Sequence, residues 1–385
     1  MNNKNKKLNI LIISFDWRNI FQNDFGQLIS KLKRDRLYIE DNNLFLFNWG
    51  IKGYHQKKEN IETFHVKYFL TKNRVVCDIL SLFILPWVLF KYKFRPDIIW
   101  IKEFPFVFSA IIPKILWKSK IVFLLSATPR SLVKTRKFGN IKFAYQACCE
   151  HLAKFFIDYP WANGEATKKY LIDMGFRQDE IKIFSGNAIL RDIEYIKNSE
   201  RGRVRKQYNI GNEKKIILSV GRLEREKGYD RLLKLFTKIE GDDLVLIIVG
   251  DGVLKEEIKK QIKDLNLEKK VVLAGWVSRE DIWDYYQDAD VFTLLSYSDG
   301  CPAVIKEAMY MNVPVIGSNI ESIKAFLGKN NERGFIFTDL GGVKEFENMI
   351  NQILAGGEKI ENKKRKAKEY IEKEMKNLEP INCYI

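Results

Sequence analysis

Residues 296–317 read SYSDGCPAVIKEAMYMNVPVIG, and the architecture of the chain follows from them. Two carboxylates, Asp299 and Glu307, stand eight positions apart around the turn Gly300-Cys301-Pro302. Pro302 suits the first turn of a helix, where its missing N–H costs nothing. That places Asp299 in the loop before the helix and Glu307 about one and a half turns into it. The N–H groups of Gly300 and Cys301 face the same opening, next to the positive end of the helix dipole. Such a terminus is in outline a site for an anion and for hydroxyl groups. Asn312-Val313-Pro314 then stops the helix, and VPVIG reads as a buried strand.

The stretches upstream repeat one pattern of strand, polar turn and helix. In KKIILSVGRLEREKGYDRLLKLF (214–236), Gly221 ends a strand, Arg222 follows it, and Lys227-Gly228 opens a helix. Two cations at a strand-to-helix turn can neutralise a departing diphosphate. DDLVLIIVGDGVLKEEI (242–258) gives another strand, a Gly-Asp-Gly turn at Gly250, and a helix. KKVVLAGWVSREDIWDYYQDADVFTLLS (269–296) gives two strands around a short helix, with Ser278 as N-cap and Asp281 three residues on. Alternating strands and helices predict α/β layers on mostly parallel sheets.

An acidic residue, Gly, any residue, Pro, four residues and Glu-Ala, followed by Val-Pro-Val, resembles the signature of the retaining GT-B glycosyltransferases of family four, the group 1 glycosyltransferases. Here the first acid is Asp299, where that family usually has Glu. The resemblance covers Lys214 to Phe337, with four motifs in order. It implies an α/β GT-B fold, two Rossmann-like domains facing across a cleft. Residues 1–190 would form an acceptor-binding domain and 191–360 a nucleotide-sugar-binding domain. A helix in 361–385 would cross back to the first. The resemblance further implies that Arg222 and Lys227 grip the donor diphosphate. Asp299 would hold the transferred sugar and Glu307 the ribose. Gly221, Gly250, Val277, Gly300, Cys301 and Pro302 would line the donor site. The donor would be a UDP- or GDP-linked sugar, used without metal or cofactor.

The first half departs from the family in places. The loop after strand LNILIISF has Gly26 as its only glycine. Where many relatives carry a histidine near the transferred sugar, this chain has Ser126, Ala127, Thr128 and Arg130. Asn163-Gly164-Glu165-Ala166 stands for the usual Ser-Glu-Ala, and Asn187 for an Asn-Gly turn at the linker.

At 385 residues and 46% hydrophobic content, the chain can fill two cores. No internal repeat supports a solenoid. The five cysteines and three histidines show no metal-ligand spacing. The polar N-terminal arm precedes an apolar run too short for a secretory signal, which predicts a reduced, cytoplasmic setting. Charge is uneven. Residues 1–190 hold 31 Lys and Arg against 16 Asp and Glu, and the remainder 34 against 33. The basic half also contains Val75–Phe90, sixteen residues with Asp78 as the only charge, bracketed by Lys67, Lys72, Arg74, Lys91, Lys93 and Arg95. The run is shorter than a spanning helix needs, and Pro86 interrupts it. It reads either as a core helix or as one dipping into an anionic membrane surface. The second reading predicts a peripheral protein on the inner face of the cytoplasmic membrane, acting on a glycan or lipid-linked acceptor in cell-envelope glycan synthesis.

Two rival classes remain at this level. A nucleotide-sugar epimerase or phosphorylase shares the fold and part of the motif set. A non-enzymatic polyanion-binding protein would use the basic half. The chain shows no nucleic-acid module, so nucleic acid is not an expected partner.

Overall fold

The computed structural model describes residues 8–14, 43–50, 54–58, 61–67, 74–101, 105–125, 148–183, 189, 192–239, 241, 243–328 and 330–376. The chain divides into two compact units, with the division between Gly186 and Asn187.

In the first unit β1 (Asn9–Ser14), β2 (Asn43–Gly50), β3 (Tyr54–Lys58) and β4 (Ile61–Lys67) come first. Then follow α1 (Arg74–Lys91), β5 (Ile98–Ile101), α2 (Pro105–Ser109), α3 (Ile111–Trp117) and β6 (Lys120–Leu125). A short helix spans 148–153. The unit continues with β7 (Tyr159–Ala162), α4 (Glu165–Asp173) and β8 (Lys182–Ile183). The sheet order is β3-β4-β2-β1-β5-β6-β7-β8, parallel throughout except for the β3–β4 hairpin at one edge. Such a sheet is covered on both faces, so its strands are continuous apolar runs instead of alternating ones. IIWI and KIVFLL are of this kind, buried residue after residue apart from Lys120. Leu11, Ile13, Ile99, Ile101, Ile121 and Phe123 pack into one core with Leu85, Val88 and Leu89 of α1. On the other face Trp100 and Trp161 meet edge to face at 5.1 Å. Asp97, before β5, accepts the Asn9 N–H at 2.9 Å and ties the two central strands together.

The second unit opens with α5 (Ile193–Lys197), α6 (Arg203–Gln207), β9 (Lys215–Val220), α7 (Tyr229–Phe236), β10 (Leu244–Val249), α8 (Lys255–Asp264) and β11 (Val271–Gly275). It proceeds through α9 (Ile282–Asp288), β12 (Val291–Leu294), α10 (Ala303–Tyr310), β13 (Val315–Ser318), α11 (Glu321–Leu327), β14 (Phe335–Phe337), α12 (Gly342–Ala355) and α13 (Glu358–Lys376). Its sheet is parallel, in the order β11-β10-β9-β12-β13-β14. Alternate residues of β10 enter separate cores. Val245, Ile247 and Val249 pack with α9 and α10, and Leu244, Leu246 and Ile248 with α7 and α12. Numbered within the unit, the order is 3-2-1-4-5-6, the doubly wound arrangement. Direction of winding reverses between β9 and β12, and ligands of such sheets bind beyond the carboxyl ends of the strands at that point.

The charged C-terminal segment forms α13, as its composition predicts, and it packs against α10 within the second unit. Ile360, Ala367 and Ile371 are buried on its inner side, and Lys306 of α10 pairs with Glu374 at 3.1 Å.

Candidate active site

Each half of the sequence-predicted site leaves one of the two strands flanking the reversal. Gly221 and Arg222 follow β9, while Asp299 lies in the loop after β12. The structure joins these two loops closely. Gly228 takes φ +69 between a 3-10 turn (Arg225–Lys227) and α7, and a Cβ there would run into the Leu295 carbonyl oxygen. Tyr297 N–H donates to the Glu226 carbonyl at 2.8 Å, and the Tyr297 hydroxyl to Asp230 at 3.0 Å. Arg231 donates to the Leu295 carbonyl and lies over the Tyr297 ring, 4.7 Å from its centroid. This stitching brings Lys227 onto Asp299, and the two form an ion pair.

Of the two cations at the turn, only one stands open to solvent. Arg222 does, with 69% of its side chain exposed and Glu224 as its partner. Lys227 keeps only 14%, against 10% for Asp299. A lysine so enclosed needs a counter-charge, and Asp299 supplies it.

The glycines hold the floor. Gly221 N–H donates to the Val249 carbonyl at 3.0 Å, and Gly250 N–H to the Gly275 carbonyl at 2.8 Å. The ends of β9, β10 and β11 are thus linked across the sheet, with the β10–β11 register slipping by one residue between Ile248 and Val249. Gly250 has φ +149, and a Cβ on it would collide with the Gly221 carbonyl oxygen.

Helix α10 begins one residue later than the sequence suggests. Pro302 is its N-cap, in extended backbone, so Glu307 is the fifth helical residue, about one turn in. Cys301 precedes it, half-buried, and burial pushes its thiol pKa up, which leaves it an unreactive packing residue. Gly300 stands between Asp299 and Cys301 in the same loop. The helix ends where predicted: Asn312 takes φ +61, and Val313 N–H returns to the Ala308 carbonyl at 2.9 Å. Val277 turns its side chain into the core beneath the site, while its neighbour Trp276 is exposed.

Glu307 is buried and held from two sides. Arg279 Nη1 donates to its Oε1 at 2.9 Å, and the Tyr286 hydroxyl donates to Oε2, also at 2.9 Å. Arg279 also donates from Nε, at 2.8 Å, and from Nη2 to Asp192, which is fully buried. Burial works against the guanidinium charge, but Glu307 and Asp192 outweigh it and hold the pKa above the ordinary arginine value. Burial and the adjoining carboxylate push the Tyr286 hydroxyl well above its usual range, so it stays a donor. Each carboxylate oxygen accepts more than one hydrogen bond, so Glu307 can take a ligand hydroxyl without losing its anchors.

Arg279, Tyr286, Asp192 and Arg231 were not among the residues singled out from the sequence. No motif marks them, because their partners lie 21 to 87 positions away. Ser278 was legible. Its hydroxyl accepts the Asp281 N–H at 3.1 Å and donates to the Asp281 carboxylate at 2.7 Å, which fixes the turn carrying Arg279. Arg279→Ala removes the cation that bridges Asp192 and Glu307. We expect a loss of about 2 kcal/mol in unfolding free energy. Arg279→Lys recovers less than half of it, because an ammonium cannot bridge two carboxylates as the fork does. Denaturant titration checks both values.

In the first unit Asn163 and Gly164 precede α4, where Thr167 closes the turn by donating to the Gly164 carbonyl at 2.8 Å. Gly26, Ser126, Ala127, Thr128, Arg130 and Asn187 lie outside the described residues. Among the described residues no group of three or more His, Cys, Asp or Glu side chains is placed to hold a metal ion.

Residues 200–373 match the model of the family Glycosyl transferases group 1. The similarity to the group 1 glycosyltransferases thus lies in the second unit. It is 32% identical over 127 residues to the putative teichuronic acid biosynthesis glycosyltransferase TuaC of Bacillus subtilis, covering 33% of this chain and 30% of that protein. It is 33% identical over 128 residues to an N-acetylgalactosamine-N,N'-diacetylbacillosaminyl-diphospho-undecaprenol 4-alpha-N-acetylgalactosaminyltransferase of Campylobacter jejuni, covering 33% of this chain and 34% of that one. The matched region thus spans about a third of the length of these two relatives. Over 95% of both chains the fold superposes on Anabaena Alr3699/HepE in complex with UDP and glucose, with a TM-score of 0.68 at 18% identity. That likeness establishes the fold class, GT-B with two Rossmann-like domains.

Proposed function

We propose that this protein is a retaining, metal-independent glycosyltransferase. It would move a sugar from a UDP- or GDP-linked donor to a saccharide or lipid-linked saccharide, in cell-envelope glycan synthesis. The observation that carries the reading is the meeting of Lys227 and Asp299 at the point where the second sheet reverses its winding. There a cation and a hydroxyl-binding carboxylate stand beside the nucleotide-binding ends of the strands. No separate cofactor is required, since the donor brings its own leaving group.

In the proposed reaction Glu307 accepts hydrogen bonds from the ribose hydroxyls and Asp299 from hydroxyls of the transferred sugar. Gly221, Gly250, Gly300, Cys301 and Pro302 shape the walls of the donor site. The bond between the anomeric carbon and the diphosphate oxygen breaks with its electron pair leaving on the diphosphate. Lys227 and Arg222 stabilise that growing charge. The acceptor hydroxyl attacks the face being vacated, and its proton passes to the departing phosphate oxygen. No enzyme nucleophile takes part. The acceptor is assigned to the first unit. Its basic balance and the lipid-linked substrate in the name of the Campylobacter relative support work at the inner face of the cytoplasmic membrane.

Calorimetry on two variants tests the division of labour. Glu307→Gln should weaken binding of the nucleoside diphosphate itself by about tenfold, the scale of losing one charge-assisted hydrogen bond. Asp299→Asn should leave that affinity within about twofold and impair transfer. Equal losses of nucleoside diphosphate affinity in both would overturn the assignment. A thermal-shift screen with UDP, GDP and their sugars names the donor, because ligands of the native state raise the unfolding midpoint. No shift with any of them would point to the polyanion-binding alternative.

A further inference from the structure

Helix α1 is apolar on both sides. Leu85, Val88 and Leu89 face the core of the first unit and are fully buried. The opposite stripe carries Phe83, Trp87 and Phe90, with 70%, 57% and 58% of their surfaces exposed. A helix apolar all round belongs either inside a protein or against lipid, and only half of this one is inside.

The exposed stripe does not stand alone. Helix α3 packs beside α1, with the Phe90 and Trp117 rings 5.2 Å apart, and it exposes Ile112, Ile115 and Leu116. Lys114 of α3 donates to the Phe156 carbonyl at 2.8 Å, which sets the segment after helix 148–153 alongside. The helix exposes Leu152 and the segment exposes Phe155. Three neighbouring elements thus present large apolar side chains outward. Patches of that kind on single chains mark a binding surface. Exposed cations follow the two helices in sequence, Lys91, Lys93 and Arg95 after α1 and Lys118 and Lys120 after α3, with Lys120 3.5 Å from the Asp158 carboxylate. The Lys91 ammonium lies 4.9 Å over the Trp87 ring, a cation and an aromatic side by side.

We infer that this face docks on an anionic lipid bilayer, with the α1 and α3 stripes entering the headgroup and upper acyl region and the cations on lipid phosphates. Aromatic and aliphatic groups next to lysine match the interfacial layer of a membrane, where apolar bodies sink and ammonium groups stay in water. No helix among the described residues is long and apolar enough to cross a membrane. A second copy of the chain is a poorer occupant. A two-fold contact would set one basic surface against another, in a half that already carries 31 cations to 16 anions. The docking stands on exposure and charge alone. Its purpose, holding the enzyme beside a membrane-held acceptor, rests on the glycosyltransferase reading.

Flotation of the full chain with vesicles of phosphatidylcholine, alone or mixed equally with phosphatidylglycerol, tests it. Binding should be at least about tenfold tighter to the mixed vesicles and should fall with salt, leaving a salt-resistant part. Phe83→Ser/Trp87→Ser/Ile115→Ser should lower binding about tenfold or more and abolish the salt-resistant part. Lys91→Glu/Lys93→Glu/Lys118→Glu should remove the preference for phosphatidylglycerol and spare the rest. These six side chains lie on the surface, and an unchanged unfolding midpoint confirms that the fold is kept. Failure to float with mixed vesicles at low salt overturns the inference, as does wild-type binding by both variants. So does a concentration-dependent dimer that the serine variant dissolves and vesicles do not compete for. Thermal shifts with UDP and GDP are independent of all these outcomes, so the donor-site reading stands or falls separately.

Discussion

Lys227→Ala should lower transfer by about a hundredfold or more, the scale of removing one transition-state donor. In the ligand-free arrangement the ammonium is enclosed with Asp299. A diphosphate entering the site would draw the lysine to its own charge, and Asp299 would then be free for sugar hydroxyls. Removing the lysine therefore strips the leaving group of a counter-charge and leaves Asp299 without its ion-pair partner. The structural cost should be small beside the catalytic one, because the loop carrying Asp299 is held independently through Glu226, Asp230 and Arg231. Single-turnover kinetics with the folded variant measure the chemical step. A rate within about threefold of wild type would remove Lys227 from the mechanism.

Gly250→Ala should be strongly destabilising in the second unit. Its φ of +149 is one that a side chain rarely tolerates, and the added methyl would strike the carbonyl of Gly221. The obstacle is backbone, so no rotamer relieves it. Strain and displacement together predict a loss of about 3 kcal/mol or more, and a midpoint lower by roughly 10 °C for a unit of this size. Gly202→Ala is the control. Gly202 has φ +92 but nothing within 4 Å of an added Cβ, so it reports the conformational cost alone, about 1 kcal/mol. Equal losses in the two variants would mean that β9 and β10 are not in contact at this point.

What was legible in the sequence was punctuation. Gly221, Gly250 and Pro302 mark where elements end or begin through local backbone preferences, and those act within a few residues. Five of the six strands of the second unit and the α10 turn were readable for that reason, while β14 was not singled out. The pairing of Lys227 with Asp299 was not, since it joins residues 72 apart and depends on how two loops are stitched. Arg279 was hidden in the same way, for its carboxylates lie 28 and 87 positions off. In the first unit the β3–β4 hairpin was missed, because YHQKK has no apolar alternation to betray a strand. Helix α1 posed a different difficulty. With apolar residues on every side, periodicity cannot say which face is covered, and only the packed sheet decides that.

The joining of the two donor loops also bears on recombination. Residues 224–231 and 295–299 share backbone hydrogen bonds, an arginine bridge and a glycine that admits no methyl. A chimaera that imports one of these segments from a homologue while keeping the other from this chain would break that joint. Crossovers should be tolerated only where both segments come from the same parent. Shuffled libraries ought to show them inherited as a linked pair, despite the intervening sixty residues and more.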